Sequence, residues 1–163
     1  MIKLRNSLRV AGSAMLIQSV YTSAAIQPMP KSKLYKILVD SRVNNKLADV
    51  TGLLVYVDGQ FLQILEGEQE VVSALLERIS KDRRHKDVKV VYKTGIERRT
   101  FNAWEMAYVS PSPKELATWA GLSNTTTLES TLKTLVSEPN RFPSVISKLL
   151  LGIPEKGGCP VGS

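Results

Sequence analysis

Cysteine and histidine are almost absent, with one of each in 163 residues. Cys159 alone permits no internal disulfide, so the chain reads as a protein of a reducing compartment, the cytoplasm. One thiol and one imidazole also leave too few ligands for a structural zinc site. Phosphate-cradling glycine loops, dinucleotide fingerprints and Gly-x-Ser-x-Gly elbows are missing, so no familiar catalytic set is present. No apolar run approaches the roughly 20 residues that a membrane span needs. What remains is an ordinary globular balance: 43% hydrophobic and 23% charged residues suit one domain with a real core.

The net charge of +7 invites a nucleic-acid or membrane reading. Lys3, Arg5 and Arg9 contribute to it ahead of the first convincing strand. The other cations are interspersed with Asp and Glu and form no aromatic-basic stripe, so neither nucleic acid nor membrane is expected as a partner. Residues 1–14 are basic and free of acids, superficially like a targeting peptide. Their apolar residues are scattered, however, and they read as a non-essential extension.

Periodicity orders the rest. Residues 15–22 read as a strand, and Pro28 and Pro30 punctuate a loop into a helix over 31–46. Leu34, Ile37, Leu38 and Ser41 form its core-facing stripe. One heptad further that stripe reaches Asn44 and Asn45. Adjacent asparagines at a helix end commonly form a C-cap and exit turn; the alternative is that one carboxamide points inward.

A hairpin follows, with strands over 50–57 and 60–66 around Asp58-Gly59. Both residues of that dipeptide tolerate the positive φ of a type I′ turn. That register pairs Leu54 with Gln63, and places Gln63 on one face with Phe61 and Leu65. An amide between two large apolar side chains is destabilising unless something hydrogen-bonds it. A second helix over 69–81 carries Val72, Leu75, Leu76 and Ile79 on one face. A polar loop over 81–87, a strand over 87–93 and a fifth strand over 103–109 complete the order. Simple alternation puts Trp104, Met106 and Tyr108 on the same side of that last strand.

The order βαββαββ describes an α+β, ferredoxin-like sandwich: a five-stranded mixed sheet with two helices on one face. Pro111 and Pro113 mark a boundary before short C-terminal helices over 113–121, 127–137 and 143–151, with Thr125 to Thr127 as a capping loop. The expected organisation is an extension over 1–14, a binding domain over 15–110, a helical extension over 111–153 and a flexible tail over 154–163. The helical part is expected either to cover the open sheet face or to mediate assembly.

Several polar groups converge without an obvious mutual purpose: Tyr21, Asn44, Asn45, Gln63, and the cluster Arg78, Asp82, Arg84 and His85. Singly each is ordinary. Arg78 and Asp82 at i, i+4 suit a surface ion pair, a lone His85 in a polar loop is usually solvated, and Trp104 and Met106 are more often core. As a set they resemble the BLUF family of flavin-binding blue-light sensors. The resemblance spans about 15–109. It rests on Ser19-Val20-Tyr21-Thr22-Ser23, Asn44-Asn45, Thr51-Gly52-Leu53-Leu54 and Gly59-Gln60-Phe61-Leu62-Gln63-Ile64-Leu65-Glu66-Gly67. Asp82-Arg83-Arg84-His85, Arg99-x-Phe101 and Trp104-x-Met106 follow in the same order.

The resemblance implies a flavin between the two helices, FAD in the usual case, with FMN or riboflavin tolerated. It implies that Asn45, with Asn44 beside it, binds the pyrimidine edge. Arg78, Asp82, Arg84 and His85 would border the ring and its ribityl-phosphate chain. Tyr21 would be the photochemical electron donor, Gln63 the hydrogen-bond relay, and Met106 and Trp104 the route into the fifth strand. It further implies a stand-alone sensor and no enzyme. Such a sensor would act through a homo-oligomer or a downstream protein partner that the sequence does not identify. Cutting after Val109 is expected to spare the photochemistry and change assembly. Two other readings compete. One is an enzyme on this fold, either an acylphosphatase-like hydrolase or a flavin oxidoreductase. The hydrolase lacks an arginine and glycines in the loop after Tyr21, and the oxidoreductase lacks a nicotinamide site. The other is a cofactor-free basic binding module in which Gln63 is a satisfied core amide.

Overall fold

The computed structural model describes residues 15–122 and 127–153. The basic extension, Thr125, Thr126 and Cys159 lie outside them. Strand β1 (Leu16–Ala25), helix α1 (Lys31–Ala48), strands β2 (Thr51–Val57) and β3 (Gln60–Glu68), helix α2 (Gln69–Ser80) and strands β4 (His85–Ile96) and β5 (Ala107–Val109) form the α+β sandwich. The sheet runs β4-β1-β3-β2-β5, antiparallel except for the β2–β5 pair. That is the expected ferredoxin-like, five-stranded mixed sheet.

The hairpin forms as the turn chemistry requires. Asp58 and Gly59 have φ of 49° and 79°, and the register pairs Leu54 with Gln63. Glycine is required at position 52, where a Cβ would run into the Ile64 carbonyl oxygen. Helix α1 continues past both asparagines and ends in a Schellman motif. Asp49 takes the left-handed conformation (φ 55°), and the Val50 N–H reaches back to the Asn45 carbonyl at 2.8 Å. The asparagines are therefore helical, and the C-cap reading is corrected: the cap is Asp49.

Two strands differ from expectation. β4 begins at His85, inside the segment that reads as a loop. Among the described residues it pairs only with β1, and exposed Lys86, Lys89 and Lys93 give it the polar sequence of a protected edge. β5 is only three residues long. The chain turns over 101–106, where the Trp104 N–H bonds the Phe101 carbonyl at 3.2 Å. Simple alternation therefore fails upstream of Met106, and Trp104 does not share its side.

The two sheet faces carry separate cores. Ile17, Tyr21, Leu54, Phe61, Leu65 and Met106 face α1 and α2. Val20, Leu53, Val55, Leu62, Ile64 and Val109 face helices α3 (Pro113–Trp119), α4 (Leu128–Ser137) and α5 (Phe142–Leu151), which bury Leu116, Leu135, Phe142, Val145 and Leu149 against them. Ser112 and Glu115 close a capping box on α3, and the Thr127 hydroxyl caps α4. The tail thus lies on the open sheet face.

Glu66 anchors the loop before β5. Its fully buried carboxylate accepts from Gln18 Nε2 (2.8 Å) and from the backbone N–H groups of Thr100 (3.0 Å) and Phe101 (2.7 Å). Arg99 reinforces this by donating to the carbonyls of Asp49 (2.8 Å) and Glu66 (3.3 Å).

This packing reverses the truncation expectation. Each large apolar side chain removed with the tail contributes about 1.5–3 kcal/mol of burial, and its partners on the sheet become exposed as well. A chain cut after Val109 is expected to melt at least about 10 °C below the full chain or to aggregate. Thermal unfolding followed by circular dichroism measures this, and melting within a few degrees of full length would show that the cover is dispensable.

Candidate functional site

Between α1, α2 and the sheet lies a cleft of about 170 Å³. Tyr21 reaches it from β1, Asn44 and Asn45 from α1, Gln63 from β3, and Arg78, Asp82, Arg84 and His85 from the end of α2 and the start of β4. Eight of the ten candidate site residues thus line one space. Leu54, Phe61, Leu75 and Ile79 add apolar wall. A flat heteroaromatic group with a polar edge matches those walls and amides.

Gln63, 4% exposed, is the hub of the cleft floor. The Tyr21 hydroxyl donates to its Oε1, and its Nε2 donates to the Met106 Sδ at 3.3 Å. A carboxamide offers two hydrogens and two lone pairs, so these bonds use half its capacity. Burial pushes the Tyr21 phenol well above the ordinary tyrosine value, and the charge of Asp82 adds to this. The phenol proton is therefore in place at neutral pH, and Tyr21 is the donor of the pair.

Asn45 is 3% exposed and donates from Nδ2 to the Glu105 carbonyl at 2.8 Å, whereas Asn44 is exposed at the cleft rim. Helix geometry separates their roles: adjacent helical residues point about 100° apart. Arg42, which the sequence pattern did not single out, donates from Nε to the Met106 carbonyl at 2.8 Å. Consecutive carbonyls of the 105–106 segment are thus held by α1, while the Met106 side chain is held by Gln63. No periodic signal marks Arg42, because its contact is with a backbone 64 residues away.

His85 is half-buried and partnered, not solvated. Its Nε2 faces the Ile79 carbonyl at 2.7 Å and its Nδ1 the Ser23 hydroxyl at 2.8 Å. A carbonyl only accepts, so Nε2 carries a proton, and in the neutral ring Nδ1 accepts from Ser23. Tyr21 and Phe61 contact the imidazole edge-on, with ring centroids at 6.3 and 6.2 Å. The ion pair read between Arg78 and Asp82 is replaced by another. Arg84 donates to Asp82 from its backbone N–H (2.9 Å), Nε (3.0 Å) and Nη2 (2.6 Å). Those bonds hold the Asp82 carboxyl below the usual range despite partial burial. The planar guanidinium, reaching back two residues, makes a forked contact with the carboxylate.

Trp104 is not brought to the cleft. It packs against the core beneath the C-terminal helices, and its carbonyl accepts from Gly52 N–H at 3.1 Å. Of the two candidate residues near β5, Met106 is the one that reaches Gln63.

Residues 16–107 match the family described as BLUF, sensors of blue-light using FAD. The chain belongs to the BLUF family. Among curated proteins it is 32% identical over 145 residues to a photoactivated adenylate cyclase subunit alpha of Euglena gracilis. That match covers 89% of this chain and 14% of the relative. The chain therefore spans about one seventh of the curated relative's length. Two solved structures resemble it over most of their own length. A dark-state structure of BlrB, a BLUF protein, superposes with a TM-score of 0.68 at 27% identity, covering 84% of this chain and 96% of that one. The photo-activated state of BlsA superposes with a TM-score of 0.60 at 32% identity, covering 75% and 95%. The BLUF segment is a sensor module, and no helix among the described residues is long and apolar enough to cross a membrane.

Proposed function

We propose that this chain binds a flavin non-covalently in the α1–α2 cleft and works as a blue-light photoreceptor of the reducing cytoplasm. Residues 15–110 hold the flavin, and 111–153 form the output surface for a second copy or another protein. The Tyr21–Gln63–Met106 chain on the cleft floor carries the proposal. It joins an oxidisable phenol to a rotatable donor–acceptor group, and that group to the strand packed against the C-terminal helices.

When bound, a flavin would supply an excited state able to accept an electron and a proton. Tyr21 is the donor: when it loses an electron its hydroxyl proton becomes strongly acidic, and Gln63 Oε1 is the acceptor in contact. When the electron and the proton return to Tyr21, Gln63 would be left as a changed tautomer or turned about its last bond. Turning places its oxygen towards Met106, where a thioether has no hydrogen to give, so the N–H···S contact is lost. Asn44 and Asn45 would hold the polar edge of the ring, and Arg78, Asp82, Arg84 and His85 its border. Trp104 lies away from the cleft, packed against the core under α3–α5.

Transmission follows from alternation in β5. Met106 and Tyr108 belong to the cleft core, whereas Ala107 and Val109 belong to the core under α3–α5. A shift of Met106 therefore reaches both. One exchanged hydrogen bond contributes about 1 kcal/mol, against about 5.5 kcal/mol for a nearly complete switch. The light signal is thus a several-fold shift in population.

The deciding measurement is an absorption spectrum of purified protein in darkness and under blue light. A yellow protein with a reversible red shift is expected; a colourless one, or one unchanged by light, would refute the proposal. Asn45→Ala is expected to weaken flavin retention by about 1–3 kcal/mol, the cost of unpairing buried polar groups. Equilibrium titration of the apoprotein reads this directly, and unchanged affinity would remove Asn45 from the binding set.

A further inference from the structure

Large apolar residues exposed singly on a surface need no explanation, but a contiguous row of them does. Of the eight exposed among the described residues, four lie on α1: Tyr35 (50% exposed), Val39 (38%), Val43 (56%) and Leu47 (84%). Their spacing of four residues brings them into one slanting row, about 18 Å long. The same helix turns Leu34, Leu38 and Asn45 inward. Helix α1 is therefore apolar on two sides, and the described residues cover only one of them.

Around this row the unanswered charges have one sign. Lys31 stands one turn before Tyr35 in the same row, and Lys36 and Lys46 flank the row on either side. The acid beside it, Asp40, is taken up by Lys36 at 3.8 Å and Arg84 at 3.7 Å. Asp49, beyond the helix end, pairs with Arg99 at 3.2 Å. Lys31 and Lys46 form no ion pair among the described residues. A second copy would bring its own surplus of lysines to the same interface. Residues 1–14 would bring Lys3, Arg5 and Arg9 and no acid. An occupant with carboxylates beside its apolar groups is complementary where those two are not.

Shape narrows the class further. A row of residues four apart is a ridge that packs into the groove of another helix, with axes crossing at about −50° and about 8–10 Å apart. A bilayer surface favours a broad face rich in Trp, Phe and Leu. This row is narrow and holds two valines and neither Trp nor Phe. We propose that the outer face of α1 is an interaction surface for a partner helix with an apolar row and an acidic rim. It is separate from the C-terminal helices, which lie against the other face of the sheet.

The test uses the full chain, isotope-labelled for NMR, and a synthetic helical peptide of about 18 residues with leucine at every fourth position and glutamate on both flanks. A peptide with lysine in place of each glutamate is the control. At about 20 mM salt the acidic peptide is expected to move the amide resonances of residues 31–48 and to bind at least about tenfold more tightly than the control. The V39E/V43E double variant should weaken that binding at least about tenfold, because it breaks the row and adds two like charges. Both positions are exposed, so its circular dichroism should match wild type. K31E/K46E should reverse the preference and favour the lysine peptide. No shift at about 1 mM acidic peptide, shifts confined to other elements, or equal binding of the two peptides would overturn the inference. Adsorption to phosphatidylserine vesicles that V39E/V43E abolishes would overturn it in favour of a membrane. A dimer in sedimentation that the same variant dissociates would overturn it in favour of a second copy.

Discussion

Gln63→Leu is expected to bind flavin and to show no lasting light-induced red shift. Leucine approximates the size of the glutamine and suits a floor between Phe61 and Leu65, which belong to the same buried cluster. It has neither donor nor acceptor, so the bond to Tyr21 and the contact to Met106 both disappear. The loss should be complete, because no other residue in the described structure bridges these two groups. The Tyr21 hydroxyl would be left buried without its amide partner, costing about 1–3 kcal/mol, partly offset by the added apolar burial. Difference spectra of dark and illuminated protein test the loss, and retained flavin absorbance shows that the variant has folded. A shift surviving near wild-type amplitude would exclude Gln63 as the relay.

Tyr21→Phe should likewise lose the lasting shift, by a different route. Phenylalanine keeps the ring, and with it the packing against His85 and the surrounding core. Flavin retention should therefore stay within a few-fold of wild type. Only the oxygen is removed, and with it both the readily oxidised phenol and the donor that orients Gln63. A buried phenol that gives up an electron becomes a strong acid and must pass its proton to an acceptor in contact, which here is Gln63 Oε1. A normal photocycle in this variant would refute the donor role. If Tyr21→Phe kept the shift while Gln63→Leu lost it, amide reorientation would not depend on Tyr21.

Much of the site was legible before any coordinates, because local rules sufficed for its parts. Asp58-Gly59 specifies a type I′ turn, that turn sets the β2–β3 register, and the register puts Gln63 on an apolar face opposite Leu54. The stripe along α1 similarly aims a carboxamide inward, and the buried one is Asn45. Trp104 shows where such reasoning ends. Alternation holds only while the backbone stays extended, and the Phe101–Trp104 turn breaks it before β5 begins. β4 reads shorter than it is for the opposite reason, since an edge strand with no fully buried residue carries little hydrophobic pattern. Arg42 had no signal at all, because its partner is a main-chain carbonyl far away in sequence.

Sequence-local chemistry thus sufficed for the element order, the hairpin register and the residue types that gather around the cleft. Tertiary structure decided which of them meet: Met106 and not Trp104 beneath Gln63, Arg84 and not Arg78 on Asp82, and the C-terminal helices as the second layer of the core. Turn and periodicity rules act over a few residues and survive in any context. Contacts between distant segments depend on how loops bend and layers stack, and only the folded chain resolves those competing possibilities.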